Sequence, residues 1–283
     1  MFRVVTLMEN RSGTGTTKAE HGLSFWIQVQ GRGALFDTGQ SGGFLDNAPL
    51  LGVDVAAAEL LALSHGHYDH GGGVRSLYEE TPFRGPLWTG PDFFDKKWSD
   101  EAPAPRFIGV DFDEAYLRFR GVEHFTVGRA PGDGGVETHL KELLPGLYAL
   151  NGFPRNSPLE YPNPRFVVDR PSGRWEDDFR DELCLVVDLP QGLAVFLGCS
   201  HPGIMNMLET ARKAFHRPLY AVFGGSHLVD ADTPRLSATL EYLEAQQIPL
   251  LFLGHCTGPA AEAALEKKFP SFHPLVGGFR FEL

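Results

Sequence analysis

Short apolar runs recur along the chain, and most of them end in Gly, Asp or His. Such runs are typical of buried strands that present polar groups at their carboxyl ends. They predict a first strand over residues 1–7 and later strands at residues 25–29, 34–37, 60–65, 147–151, 183–189, 193–199, 219–224 and 249–255. Apolar positions with helical spacing predict helices over residues 203–216, 234–247 and 259–269. Strands therefore come in runs, and helices concentrate in the later part of the chain.

Two proline-rich segments interrupt this pattern. Residues 82–105 carry five prolines together with the aromatic side chains of Trp88, Phe93, Phe94 and Trp98. This composition favours an irregular excursion, such as a lid or an oligomer contact, over a regular core element. Residues 154–171 form a second excursion of this kind. Since no internal repeat or linker is visible, we expect one domain over residues 1–283, with insertions near 82–130 and 152–180.

Composition and charge disfavour nucleic-acid, membrane and secreted classes of protein. The 283 residues are 42% hydrophobic and 22% charged, as in a packed soluble protein. A net charge of −11 disfavours a nucleic-acid partner, because an acidic surface repels the phosphate backbone. No apolar run approaches the roughly 18 residues of a membrane span, and residues 1–7 are too short for a secretion signal. Three cysteines are few for a secreted scaffold, so a cytoplasmic protein with a small-molecule substrate is expected.

The predicted strand at residues 60–65 runs directly into four potential metal ligands, His65, His67, Asp69 and His70. Groups of this kind repel one another when protonated and are costly to bury unless a cation compensates them. Imidazole and carboxylate suit zinc, manganese or iron. The alternating spacing sends the first two histidines to one side of an extended segment, while the other two residues turn toward a second position. The motif therefore predicts two adjacent metal ions.

His-x-His-x-Asp-His after a strand resembles the signature of the metallo-β-lactamase fold hydrolases. Residues 35–39 resemble the first motif of that superfamily, which implies that Asp37 orients a histidine ligand. Residues 195–201 and 253–256 fall where the later strand-end ligands of the superfamily are expected. The resemblance implies an α/β fold, an αββα sandwich of two mixed β-sheets flanked by helices.

The chain departs from the superfamily pattern at two positions. Cys199 follows Gly198 where an aspartate usually bridges the two metal ions, and residues 150–155 lack the usual third-motif histidine. Histidines stand instead at His201 and His227. These motifs, with Gly-Phe-Pro-Arg and His-Cys-Thr-Gly, resemble the branch that includes the archaeal dihydropterin-6-methyl-ribofuranosylaminobenzene phosphate synthases. That branch is associated with condensing a pterin with a ribosyl-aminobenzene phosphate.

The resemblance implies two ligand sets. The expected ligands are His65, His67 and His201 for the first metal ion, and Asp69, His70 and His255 for the second. A role for His201 in substrate binding alone is the alternative. His227 is expected near the metal ions as a general acid or oxyanion contact, with ligation as the alternative. Cys199 is either a thiolate ligand or a small buried residue at the vacated carboxylate position.

Two further residues are predicted to contact substrate. Arg155 presents a planar fork to phosphate or carboxylate, with a surface salt bridge as the alternative. Asn206 lies in the first turn of a helix whose positive end faces the metal ions, with a solvated helix position as the alternative. The remaining histidines are predicted to be structural or surface groups, and two cysteines to be core residues: His21, His124, His139, His216, His273, Cys184 and Cys256.

These residues predict a binuclear metal-dependent hydrolase, or a related transferase, that acts on a small phosphorylated or pterin-like substrate. The two metal ions, with zinc favoured over manganese or iron, would supply a metal-bound hydroxide that Asp69 orients, while His227 assists the leaving group or oxyanion. The alternatives are a pterin- or nucleotide-binding protein without turnover and, less favoured, a di-iron redox protein. The aromatic residues of 88–98 would cover a planar ring or form a homo-oligomer contact.

Overall fold

A computed structural model describes residues 1–129 and 136–283 of the chain. Runs of buried apolar residues form most of the strands, which are β1 (Phe2–Met8), β2 (Ser24–Val29), β3 (Arg32–Phe36), β4 (Ala58–Ala62), β5 (Leu87–Thr89), β6 (Lys96–Ser99), β7 (Arg106–Phe107), β8 (His124–Thr126), β9 (His139–Leu144), β10 (Leu147–Asn151), β11 (Phe166–Arg170), β12 (Gly173–Glu176), β13 (Leu183–Leu189), β14 (Gly192–Leu197), β15 (Leu219–Gly225), β16 (Leu250–Gly254), β17 (Phe272–Pro274) and β18 (Arg280–Glu282). The α-helices are α1 (Gly43–Leu50), α2 (Tyr68–Gly71), α3 (Val74–Glu80), α4 (Glu114–Arg120), α5 (Ile204–Phe215), α6 (Thr233–Gln246) and α7 (Pro259–Lys268). Short 3-10 turns lie at Val55–Ala57 and His255–Thr257.

The strands form two seven-stranded mixed sheets of similar construction. The first has the order β18-β1-β2-β3-β4-β5-β8, and the second β17-β16-β15-β14-β13-β10-β9. Strands β18 to β3 pair antiparallel and β3 to β8 parallel. In the second sheet β9 to β14 pair antiparallel and β14 to β17 parallel. Loops that follow the parallel strands of each sheet therefore gather at one edge.

The two sheets pack face to face through a shared apolar core. Phe25 of the first sheet meets Phe196 of the second with ring centroids 5.8 Å apart, and both are fully buried. Each such side chain stabilises the fold by about 1.5–3 kcal/mol. Helices α1 and α3 cover the outer face of the first sheet, and α5, α6 and α7 cover that of the second. This confirms the αββα sandwich implied by the resemblance.

The predicted strands and the three predicted helices are present, with ends that differ by a few residues. One prediction needs correction, because the segment 82–105 is not an irregular excursion. Its strand β5 joins the first sheet, while β6 enters a third sheet of order β12-β11-β6-β7. The prolines of the segment lie before, between and after these two strands, and β6 pairs with β11, which comes from the second proline-rich segment. Pairing between such distant segments leaves no local pattern in the sequence.

The third sheet lies against the loop that follows β4. The amide of Tyr68 donates to the carbonyl of Ile108 at 2.9 Å, and His67 forms an isolated bridge with Gly109. Phe166 and Phe179 pack with Ile108 in a small apolar cluster of their own. The two proline-rich segments are thus joined to the residues that carry the His-x-His-x-Asp-His motif.

Among the helices of the described residues, none combines the length and apolar character that crossing a membrane requires.

Candidate metal centre

The loops after five strands converge at one edge of the sandwich. The loop after β3 begins with Asp37, and the one after β4 carries His65 and His67 before α2, which holds Asp69 and His70. In the second sheet the loops after β14, β15 and β16 carry the remaining candidates, namely Cys199, His201, His227 and His255. Their convergence follows from the parallel pairing of β3 with β4 and of β14 with β15 and β16.

Two groups of potential metal donors lie side by side at this edge. One consists of His65, His67 and His201, and the other of Asp69, His70, Cys199 and His255. Within each group, ligand atoms of all members lie within 4.8 Å of one another, and every member is buried. The rings of His65 and His70, one from each group, have centroids 4.3 Å apart. The geometry therefore brings together all six residues predicted as ligands and adds Cys199.

Three imidazole nitrogens in these groups have no hydrogen-bond or ion-pair partner among the described residues. They are the buried Nε2 atoms of His65, His67 and His201, whereas Nε2 of His255 lies 3.3 Å from Oδ2 of Asp69. Each unpaired buried polar atom costs about 1–3 kcal/mol, so three in one place require compensation. Imidazole, carboxylate and thiolate are donors that zinc accepts at short range. The donor set therefore fits divalent metal ions.

The histidines of the first group are held neutral. Burial, with nearby histidines adding to the effect, lowers the pKa of His65 and of His201 well below the ordinary value. Burial also lowers the pKa of His67 to about 3. A neutral imidazole keeps the nitrogen lone pair that binds a metal ion. These three side chains are therefore ready to ligate at neutral pH.

Asp37 holds His70 in place. Its Oδ2 accepts a hydrogen bond from Nδ1 of His70 at 2.6 Å, and its Oδ1 accepts the amide of Ser64 at 2.7 Å. Nε2 of His70 is thereby directed toward Sγ of Cys199, 3.1 Å away. Burial opposes the charge of His70, yet Asp37 and Asp69 raise its pKa to about 9. A carboxylate behind a histidine ligand fixes its tautomer and orientation.

Two residues at the end of β1 support His255, and the sequence reasoning missed both. Asn10 Oδ1 accepts from Nδ1 of His255 at 2.9 Å, and buried Glu9 accepts the His255 amide at 2.6 Å. His255 has a φ of 53°, a strained conformation for a residue with a side chain. The sequence did contain a signal for Glu9 and Asn10, because two polar residues directly follow an apolar strand. Asp37 follows an apolar strand in the same way.

His21 was predicted to be a structural or surface group; it is exposed, but it also lies beside the metal donors, which the prediction missed. Its ring stacks on His255 with centroids 5.0 Å apart, and its Nε2 lies 3.2 Å from Oδ2 of Asp69. The side chain is 52% exposed and lines the cavity over the metal donors. Burial alone would raise the pKa of Asp69, but His70, His21 and His255 hold that pKa well below its usual range.

A buried ion cluster supports the turn between His65 and His67. Asp181 accepts the amide of Gly66 at 2.7 Å, and Nζ of Lys97 lies 3.0 Å from Asp181 and 2.7 Å from Asp177. All three side chains are at most 2% exposed. Burial disfavours the charge on Lys97, but the two carboxylates raise its pKa above the ordinary value. This cluster also joins β6 of the third sheet to the metal-donor loop.

A second buried carboxylate shapes the loop that carries Cys199 and His201. Glu182 accepts the amide of Ser200 at 2.7 Å and that of His201 at 3.2 Å, and burial raises its pKa to about 8. The ring of His201 stacks on Phe179 with centroids 3.8 Å apart. Glu182 and Phe179 thus fix the backbone and the ring of this histidine, and neither was predicted.

The other predicted site residues lie at different distances from the donors. His227 belongs to neither donor group, but its ring lies 4.4 Å from that of His201 and lines the same cavity; burial lowers its pKa to about 4. Asn206 is buried, and its Oδ1 accepts the backbone N–H groups of Asn156 and Ser157. Arg155 is exposed and lines a neighbouring cavity. The structure therefore brings His227 to the metal donors but not Arg155 or Asn206, and it excludes the solvated position considered for Asn206.

Comparison with known proteins places this site in a family. A model of the metallo-beta-lactamase superfamily matches residues 17–191. The 7,8-dihydropterin-6-methyl-4-(beta-D-ribofuranosyl)-aminobenzene-5'-phosphate synthase of Methanocaldococcus jannaschii is 28% identical, over 95% of this chain and 92% of that protein. Tm1679, a metal-dependent hydrolase of the beta-lactamase superfamily, is 29% identical with a TM-score of 0.85, covering 100% of this chain and 99% of that one.

More distant structures share the fold. Zn(2+)-bound PqqB from Methylobacterium extorquens superposes with a TM-score of 0.56 at 14% identity, covering 99% of this chain and 100% of that one. Since the family model matches the greater part of the chain, and the sandwich and its strand-end donors agree with it, the chain belongs to the metallo-beta-lactamase superfamily.

Proposed function

We propose that this protein is a binuclear metal-dependent enzyme that acts on a small phosphorylated molecule, with hydrolysis as its reaction. One observation carries the proposal: three buried histidine nitrogens without protein partners form one donor group, beside a second group of four donors, beneath a single cavity. A purely structural cluster would satisfy these atoms with hydrogen bonds from the protein. Zinc is the proposed metal, because the donors combine imidazole, carboxylate and a cysteine sulfur.

Different residues of the chain would hold the metal ions, orient the ligands and contact the substrate. When bound, two divalent cations lower the pKa of water and polarise carbonyl or phosphoryl oxygens. His65, His67 and His201 would hold one ion, and Asp69, His70, His255 and Cys199 the other. Asp37 keeps the Nε2 of His70 directed at its group, as Asn10 does for His255. His227 stands outside both groups and is proposed to donate an N–H to an oxyanion or leaving group of the substrate.

The cavity limits the size of the substrate. Its volume is about 320 Å³, at the lower end of small-molecule sites. Phe166 and Ile108 form apolar parts of its wall, while Arg106 and Arg165 bring positive charge to it. A small molecule with an apolar or planar portion and an anionic group matches this lining better than a polymer does.

A transferase that joins two small molecules is the second candidate. It is favoured by the 28% identity, over 95% of the chain, to a synthase whose name contains a dihydropterin and a 5'-phosphate. Either reaction uses the same donors, and a pterin-like ring suits the aromatic wall. The two candidates differ in whether water or a second substrate takes the transferred group.

Metal analysis tests the proposal. Elemental analysis of protein purified without chelator should give about two metal ions per chain, fewer in His201→Ala, and an unchanged content in His227→Ala. Turnover of phosphorylated esters or pterin conjugates by wild type, with loss in His227→Ala, would complete the case. One metal ion or none would refute the binuclear site. Ligand-induced stabilisation without turnover would favour a binding protein, and iron with visible absorbance a redox centre.

A further inference from the structure

Part of the cavity wall comes from the third sheet and the residue that follows its strand β7. That residue, Ile108, donates its amide to the carbonyl of Lys97 in β6 at 3.0 Å and accepts the amide of Tyr68 in α2 at 2.9 Å, so it joins the sheet to the segment that carries the metal donors. Arg106 lies two residues before this anchor and lines the cavity beside Tyr68. Its backbone is therefore held in position with respect to the metal donors, although its side chain is exposed.

Most N–H donors of the Arg106 guanidinium form no hydrogen bond with the described residues. It lies over the ring of Tyr68, 5.7 Å from the centroid, and Nη1 donates to the Tyr68 hydroxyl at 3.4 Å. Within residues 1–129 and 136–283 no carboxylate forms an ion pair with it at 4.0 Å or less. A guanidinium carries five N–H donors, so most of them face the cavity or solvent.

The neighbouring arginine shows the contrast. Arg165 also lines the cavity, but Glu101 and Asp230 bind its two terminal nitrogens at 3.0 and 3.1 Å. Arg165 is therefore bound by carboxylates of the protein, whereas Glu101 and Asp69 act on Arg106 only from beyond ion-pair distance. On a chain of net charge −11, an arginine without a bound carboxylate gives the cavity a local positive charge that favours small anions.

We propose that Arg106, backed by the ring of Tyr68, is the residue that binds a terminal phosphate monoester of the substrate. The planar fork of a guanidinium matches two phosphate oxygens, and the cation–π contact and hydrogen bond with Tyr68 restrain the position of this one. This assignment rests on the proposed function, since it names the substrate class of the same cavity. Arg106 is a binding and positioning residue here, separate from the metal donors.

The assignment is tested by isothermal titration calorimetry, which measures the affinity of the metal-loaded protein for phenyl phosphate. Arg106→Gln should weaken binding about 10- to 100-fold, and Arg106→Lys less, because lysine keeps the charge but not the fork. Arg174→Ala, on the outer strand β12 of the same sheet and paired with Asp169, is the matched control and should bind as wild type does. Metal content is measured on the same samples.

Three results would overturn it: binding to Arg106→Gln within twofold of wild type, an equal loss in Arg174→Ala, or no binding by wild type. If Arg106→Gln binds less metal than wild type does, the test passes to Arg106→Lys with its full metal content. That variant should bind phenyl phosphate severalfold more weakly than wild type, and an unchanged affinity would overturn the assignment. Failure of the proposed function would appear elsewhere, as a wild-type metal content below two or absence of turnover. The difference in phosphate affinity between wild type and variant does not depend on turnover.

Discussion

Lys97 is the cation of a cluster that has no access to solvent, and replacing it by methionine tests how the third sheet supports the metal centre. Methionine preserves most of the volume of the side chain and removes its charge. Asp177 and Asp181, both at most 2% exposed, would then be left as buried carboxylates without their cation. Removing one partner of a buried ion pair costs about 3–5 kcal/mol. We expect the free energy of unfolding of Lys97→Met to fall by about this amount at neutral pH.

The pH dependence separates charge from packing. Burial raises the pKa of a carboxyl group, and in the wild type Lys97 opposes that rise for both aspartates. In Lys97→Met the positive charge is absent, so burial raises the pKa values of Asp177 and Asp181 above those of aspartate in the unfolded chain. The penalty is then fully present above the raised values and is lost as the pH falls through them. Lys97→Met should therefore be much closer to wild type at pH 5 than at pH 8.

Urea unfolding followed by circular dichroism measures this, on chelator-treated protein so that metal binding does not contribute. Lys96→Met, the exposed preceding residue on β6, serves as the control and should change stability by less than about 0.5 kcal/mol. Adding Asp177→Asn and Asp181→Asn to Lys97→Met should recover part of the loss, since the buried charges are then absent. A loss below about 1 kcal/mol at pH 8, or an equal loss at both pH values, would refute the reasoning.

Three other changes probe single contacts. Asn10→Ala removes the hydrogen-bond partner of Nδ1 of His255. It should lower the affinity for one of the two metal ions about 10- to 100-fold, as measured by competition with a chelator. Cys199→Ala should reduce the affinity for Cd²⁺ more than that for Mn²⁺, because a thiolate is a soft donor. Burial raises the pKa of Glu160 from 4.5 to about 7, so wild-type stability should fall by up to about 3 kcal/mol between pH 4.5 and 7. Glu160→Gln should lack that fall in urea unfolding.

Each of these has a clear contrary result. Loss of both metal ions in Asn10→Ala would mean that the residue supports the whole loop region rather than one histidine. Equal losses of Cd²⁺ and Mn²⁺ affinity in Cys199→Ala would assign the cysteine a packing role. An unchanged pH dependence in Glu160→Gln would mean that this carboxyl group is already ionised at pH 5, held by the amides of Met205 and Asn206.

Much of the site could be predicted because its donors follow strands. A strand end is visible as an apolar run that stops at a polar residue, and parallel pairing then places successive ends at one edge. His65, His255 and Asp37 each end a predicted apolar run in this way, whereas His201 was expected from the family resemblance. The same rule, applied to β1, would have found Glu9 and Asn10.

What escaped prediction depends on contacts between distant segments. Lys97 and Asp181 are 84 residues apart, and neither stands in a pattern that differs from a surface charge. His21 precedes β2 in an irregular segment and reaches Asp69 only through the fold. The third sheet has the same origin, because its strands are short and partly polar, and pair across the two proline-rich segments. Local sequence carries no information on such pairings.

One loop, the loop after β14, bears on both departures from the superfamily pattern. Cys199 and His201 lie on opposite sides of Ser200, whose φ of 64° turns the backbone between them. Glu182 holds that turn by accepting the amides of Ser200 and His201, and the Ser200 hydroxyl donates to the Gly225 carbonyl at 2.8 Å. One loop thereby gives a sulfur to the group of His70 and an imidazole to the group of His65. His201, stacked on Phe179, thereby stands as the third member of the first donor group, which contains no residue of the loop after β10. We therefore interpret the replaced aspartate and the absent histidine as a single rearrangement, in which the loop after β14 supplies both Cys199 and His201.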